Sequence, residues 1–125
     1  MAEVTARGSC LCGAVSFQIT GPLRQVIACH CTQCRKQSGH YWALSSAADE
    51  DFHLTNEDGL KWYSASDTAI RGFCATCGST MFWKQNDENK ISFSAGTLDE
   101  HPELSIAKHI FTDTKGDYYT LESKE

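Results

Sequence analysis

No stretch of the 125-residue chain approaches the ~18 consecutive apolar residues that a membrane span needs, so an integral membrane protein is excluded. The opening Met1-Ala2-Glu3-Val4-Thr5-Ala6-Arg7 lacks the basic and apolar stretches of a secretory signal, and a cytoplasmic location is expected. Basic charge is short as well. Eleven Lys and Arg stand against sixteen Asp and Glu, and the net charge of -5 repels a polyphosphate, so no nucleic-acid partner is expected. No segment is rich in Pro, Gly or Ser, and none is low in complexity or repeated. One domain over residues 1–125 is therefore expected, of a size that buries roughly two-thirds of its unfolded surface.

Strand signals dominate what is present. Val15, Phe17 and Ile19 alternate with Ser16, Gln18 and Thr20, and Ile91 and Phe93 alternate with Ser92 and Ser94, as in half-buried strands. Short apolar runs at 26–29, 41–45, 52–54, 62–63, 70–73, 81–83 and 106–111 have strand length, and the fold class is mainly β. A helix is expected only over 32–37, with one further turn near 99–104. The acidic run Asp49-Glu50-Asp51 reads as a solvated loop.

Cysteine is the residue in excess. There are seven, an odd number that forbids complete internal disulfide pairing. They form three clusters: Cys10-Leu11-Cys12-Gly13, Cys29-His30-Cys31-Thr32-Gln33-Cys34, and Cys74-Ala75-Thr76-Cys77-Gly78. Pairs at CxC and CxxC spacing bring two sulfurs to one side of a turn, where a tetrahedral ion can bridge them. Zinc is the favoured ion, with iron next. The glycines after Cys12 and Cys77 suit knuckles that need positive φ. That likeness joins Cys10, Cys12, Cys74 and Cys77 as a closed structural zinc site. Cys29, Cys31 and Cys34 are left with three sulfurs and one open position, the count of a catalytic zinc. Other partitions remain, such as Cys10 and Cys12 with Cys31 and Cys34. His30 lies between two cysteines of an extended segment, so its side chain should leave from the opposite face.

In chain order, GSCLCGAVSF, CHCTQCRKQSG, FCATCGSTMFW, GTLDEHPEL and KHIF together resemble the glutathione-dependent formaldehyde-activating enzyme family, which includes centromere protein V. The resemblance runs from about Gly8 to Phe111. It implies one zinc-binding domain of that kind over 1–125, with a small zinc-stapled fold of layered antiparallel sheets, a β-tent. It also implies two zinc ions per chain, the outer four cysteines holding the structural ion and Cys29, Cys31 and Cys34 the catalytic one. The implied enzyme is a carbon–sulfur lyase, an S-(hydroxymethyl)glutathione synthase, and the implied partners are a small thiol such as glutathione and formaldehyde or a related small aldehyde. After Phe111 the chain departs from the family pattern, with Thr112 to Tyr119 in place of a segment that commonly carries a Pro-Trp pair.

Arg35, next to Cys34, is a candidate to pair with a substrate carboxylate or a developing alkoxide. His40 and His109 are candidates for proton transfer, with core or surface roles as the plainer reading. Lys36 and Ser38 are weaker candidates, and Gly39 reads as a helix end. Trp42, Trp62, Phe82 and Trp83 read as core or pocket wall, and Asp99 as a turn or cap residue. The competing reading is a zinc-stapled binding module without turnover. A zinc enzyme of this fold acting on another thiol, aldehyde or imine is a third.

Overall fold

A computed structural model describes residues 3–121. Ten strands fall into two sheets. The smaller sheet runs β1 (Ala6–Ser9), β2 (Ser16–Ile19), β5 (Phe52–Asn56), with antiparallel pairing throughout. The larger joins β10 (Ile106–Ile110), β3 (Val26–Cys29), β4 (Trp42–Ala48), β9 (Lys90–Ser94), β8 (Thr80–Gln85), β7 (Ala69–Cys74) and β6 (Leu60–Tyr63), in that order. All its pairs are antiparallel except β10 with β3, which is parallel, so the larger sheet is mixed. No described helix is long and apolar enough to cross a membrane.

The alternation in β2 does what period two dictates: Phe17 and Ile19 are buried while Ser16 and Gln18 are partly exposed. Phe17 meets Phe52 of its own sheet and Phe82 and Phe93 of the other, with ring centroids 5.3–5.4 Å apart. These rings form the contact between the layers, and each such pair adds about 1 kcal/mol beyond its buried area. Phe82 is thus core. Trp62 lies partly exposed against it.

The helix α1 spans Thr32–Ser38. Cys31 is its N-cap, its sulfur accepting from the Cys34 amide, and Gly39 closes it at φ 88°. The turn expected over 99–104 does not form. The 3-10 turn lies at Ala95–Thr97, and Pro102, followed by Glu103 at φ 65°, is incompatible with a helical turn. Asp49–Asp51 form a 3-10 turn of exposed or half-buried residues, with Asp49 paired to Lys84.

Candidate metal centre

The first and third cysteine clusters meet at one end of the sheets. Cys10 follows β1, Cys12 sits in the β1–β2 turn, Cys74 ends β7, and Cys77 sits in the β7–β8 turn. Gly13 at φ 87° and Gly78 at φ 84° donate to the carbonyls of Cys10 and Cys74, closing two similar knuckles that a side chain would strain. The four sulfurs lie within 4.8 Å of one another. Cys10 to Cys12 and Cys12 to Cys74 are each 3.8 Å. Sulfurs placed tetrahedrally at about 2.3 Å from zinc stand about 3.8 Å apart, so the donors fit an ion of that size.

Hydrogen-bond donors reach three of the four sulfurs, while at Cys12 the Ala14 backbone is outweighed by burial and the neighbouring sulfurs, which push that thiol up to about 11. The Val15 amide donates to the Cys10 sulfur (3.2 Å), and the Cys77 amide to that of Cys74 (3.4 Å). The Ser79 hydroxyl lies 3.2 Å from the Cys77 sulfur and, with the Ser79 backbone amide, draws that thiol down to about 5. Asp99 lies beside this centre, its carboxylate accepting from Ser9 (2.8 Å).

Cys29 at the end of β3, Cys31 at the helix cap and Cys34 inside α1 form the second group, also within 4.8 Å. Among the described residues no fourth His, Cys, Asp or Glu joins it. Cys29 and Cys34 share a hydrogen bond that draws Cys29 down to about 6, against its burial and with help from Cys31 and the charge of Arg71. The same bond, together with burial, pushes Cys34 up. The three sulfurs border a cavity of about 180 Å³, walled by Ile27, Leu44, Trp83 and Ile110, with Arg71 and Phe111 also on its lining.

Arg35 does not join this cavity. Its Nε donates to the Thr114 carbonyl (2.7 Å), because its position on α1 faces the C-terminal segment. The guanidinium beside the sulfurs belongs to Arg71 of β7, a residue the sequence reading passed over. Its signal was an arginine at an inward position of a strand, in step with Ala69 and three residues before Cys74. Trp42 is buried and lies under the Arg71 guanidinium.

His30 is fully buried on the opposite face from the sulfurs, as expected for its place on the chain. Its Nε2 is 2.9 Å from His109 Nδ1, and its Nδ1 is 2.7 Å from the Tyr119 hydroxyl. His40 bonds the Tyr118 hydroxyl on that same face. A larger hollow of about 720 Å³ opens there, against His40, Tyr41 and His109, and no cysteine lines it. Both candidate proton-transfer histidines thus face away from the sulfur cavity. Lys36 is exposed, and the Ser38 hydroxyl accepts from the His40 amide.

Residues 5–114 match the family described as glutathione-dependent formaldehyde-activating enzyme. The chain belongs to that family. It is similar to an uncharacterized lyase of Schizosaccharomyces pombe, 26% identical over 94% of this chain and 85% of that protein. It is similar also to a Halomonas elongata protein provisionally named a glutathione-dependent formaldehyde-activating enzyme, 27% identical over 94% of this chain and 82% of that one. A crystal structure of a Rhodobacter sphaeroides protein shares the fold, with TM-score 0.65 and 23% identity over 82% of this chain and 98% of that one. Family membership makes the protein a carbon–sulfur lyase-type enzyme.

Proposed function

We propose that this family member joins a small thiol to formaldehyde or a closely related aldehyde, with glutathione as the thiol, at the cluster of Cys29, Cys31 and Cys34. The observation that carries this reading is a group of three sulfurs, with no fourth protein donor among the described residues, opening directly onto a cavity. Cys10, Cys12, Cys74 and Cys77 hold a structural zinc in this reading, and the middle three hold a second. That second zinc would supply positive charge able to keep a substrate thiol deprotonated near neutral pH, where a free thiol with a pKa of about 8.5 is mostly protonated.

The chain's own residues do the rest. Ile27, Leu44, Trp83 and Ile110 give the cavity an apolar wall for a small one-carbon electrophile, and Arg24, Arg71 and Ser92 are its polar members. A cavity of about 180 Å³ holds the sulfur end of the thiol with a small aldehyde and leaves the rest of a tripeptide at the rim, beside Phe111. In the reaction the substrate sulfur attacks the carbonyl carbon, a C–S bond forms, and the carbonyl π pair becomes an alkoxide. The alkoxide takes up a proton equal to the one the thiol released, so the product is a thiohemiacetal. Thiolate formation alone gives at most about 30-fold, so holding the aldehyde against the sulfur must supply the remainder.

The test follows exchange between glutathione, formaldehyde and their adduct by NMR, with zinc-loaded protein, with Cys31→Ser protein and with neither. Acceleration by wild type that is lost in Cys31→Ser is the expected result. No acceleration by the zinc-loaded protein with glutathione or with other small thiols would overturn the reading.

A further inference from the structure

Arg71 is 5% exposed, yet among the described residues no carboxylate pairs with it. The ion pairs among the described residues are Arg7 with Glu100 and Lys84 with Asp49, both elsewhere. A buried guanidinium without an anion is strongly unfavourable. Neutral amides take some of its donors: one terminal nitrogen donates to Gln37 Oε1 (2.9 Å) and the other to Gln33 Oε1 (3.0 Å). The same two nitrogens both lie 3.7 Å from Cys34 Sγ, and the guanidinium plane sits 5.5 Å from the Trp42 ring centre. Amides orient a cation without neutralising it. Among the described residues the sulfur group is the one anionic candidate in reach.

We infer that Arg71 is the counter-ion of the middle cysteine cluster, a positioning residue whose charge retains the metal ion there. The inference rests on the reading of Cys29, Cys31 and Cys34 as metal-binding. Three thiolates around a divalent ion leave one unit of negative charge, and a single guanidinium cancels it. The closed cluster needs no such partner, because a polar rim with exposed Cys12 gives its charge access to water. In the buried cluster the fork sits on Cys34, the ligand held in the helix interior. Gln33 and Gln37, one turn apart on α1, fix the fork's angle. β7 thereby serves both centres, with Arg71 in its middle and Cys74 at its end.

The test is a competition titration of the zinc-loaded full chain against a chromophoric chelator, on wild type, Arg71→Lys, Arg71→Gln and Arg71→Met. Cobalt(II) substitution reads the two clusters by their sulfur-to-metal charge-transfer bands. Arg71→Gln and Arg71→Met should release the ion of the middle cluster about 10- to 100-fold more readily, as loss of a partner to metal ligands typically does. The outer ion should be unmoved, and Arg71→Lys should recover most of the loss. Arg71→Met keeps an apolar stem on Trp42 and removes a buried charge, so it decides the matter if Arg71→Gln does not fold. Wild-type retention of the second ion by Arg71→Met, or an Arg71→Lys no better than Arg71→Gln, would overturn the assignment. If adduct formation is absent in every sample while this order of affinities holds, the enzymatic reading fails and the counter-ion stands.

Discussion

Cys10, Cys12, Cys74 and Cys77 close on one another across two glycine knuckles, whereas Cys29, Cys31 and Cys34 stop one donor short beside a cavity of about 180 Å³. The ligand is the same in both groups, so the difference lies in what surrounds the sulfurs. Around the four, the donors are backbone amides and a serine hydroxyl, which any turn can provide. Around the three, they are a helix amide and a buried arginine brought from another strand. In the proposed reading, a closed set of four would use its whole coordination to hold strands together, and the open set would keep a position free and need steadying from outside.

The harshest way to break that comparison is to remove a sulfur from the closed group. A structural zinc is worth about 10 to 16 kcal/mol in small peptides and a domain's net stability is about 5 to 15 kcal/mol. Cys74→Ser should therefore abolish cooperative thermal unfolding followed by circular dichroism. A normal melt with one ion lost would show that the outer centre is not the staple. The next effect is Cys31→Ser. Serine caps a helix as well as this cysteine does, so α1 should persist and the melt should stay cooperative, with the melting temperature lowered only by the binding energy of the lost ion. One metal equivalent and at least about 100-fold in adduct formation should go, the scale of losing a residue that acts as a unit with its neighbours.

Acid should separate the clusters further. His30 fastens the middle loop to the C-terminal segment through His109 and Tyr119, while the Thr114 hydroxyl donates to its carbonyl (3.0 Å). Burial, then the nearby charges of His109, His40 and Lys115, hold its imidazole below the ordinary 6.5. The folded chain thus binds the proton less well than the unfolded one. Its contribution to stability is complete above about 6.5 and is lost as pH falls through the lower folded value. Melting temperatures between pH 7.5 and 5.5 should decline in wild type. His30→Gln, which cannot titrate, should start lower and decline less steeply, the remaining slope coming from protonation of the metal-binding thiolates. Equal declines in both would move the acid sensitivity elsewhere.

The two groups also differed in how far they could be read from the chain. Each knuckle is local, so CxC-Gly and CxxC-Gly announce their turns. Their likeness pointed to pairing Cys10 and Cys12 with Cys74 and Cys77 across some sixty residues, and left open the partitions that the structure removes. β2, with its strict alternation, was legible for the same local reason; β9 was legible as a strand but not as a half-buried one, since Ser92 and Ser94 are buried along with Ile91 and Phe93. β1 was not: Ala6-Arg7-Gly8-Ser9 carries little apolar signal, and it forms because Gly8 lets the Phe17 ring approach closely. The parallel pairing of β10 with β3 depends on the path of residues 95–105, which no periodicity encodes. Arg71, which adjacency does not single out, takes the place beside Cys34 that adjacency suggested for Arg35. Contact across sheets and helix, not distance along the chain, decides which guanidinium meets the sulfur.

The smallest expected effect lies at the rim of the open cluster. Phe111 is 64% exposed and holds φ 56°, a left-handed conformation that costs a non-glycine residue about 1 kcal/mol or more. It is kept there by Thr114, whose amide donates to the Phe111 carbonyl (3.3 Å). Strain of this sort persists where the surroundings enforce it, and here it puts an aromatic ring on the lining of the sulfur cavity. Phe111→Gly relieves the backbone but loosens the unfolded chain, and the two effects offset to within about 1 kcal/mol of wild-type stability. If the ring contacts the part of the thiol left outside the cavity, kcat/KM should fall about threefold to tenfold, the worth of one aromatic contact, through a raised KM. An unchanged kcat/KM in a protein that melts as wild type does would mean that the open cluster meets its substrate without the rim. The contrast between the two centres would then rest on the missing sulfur and Arg71 alone.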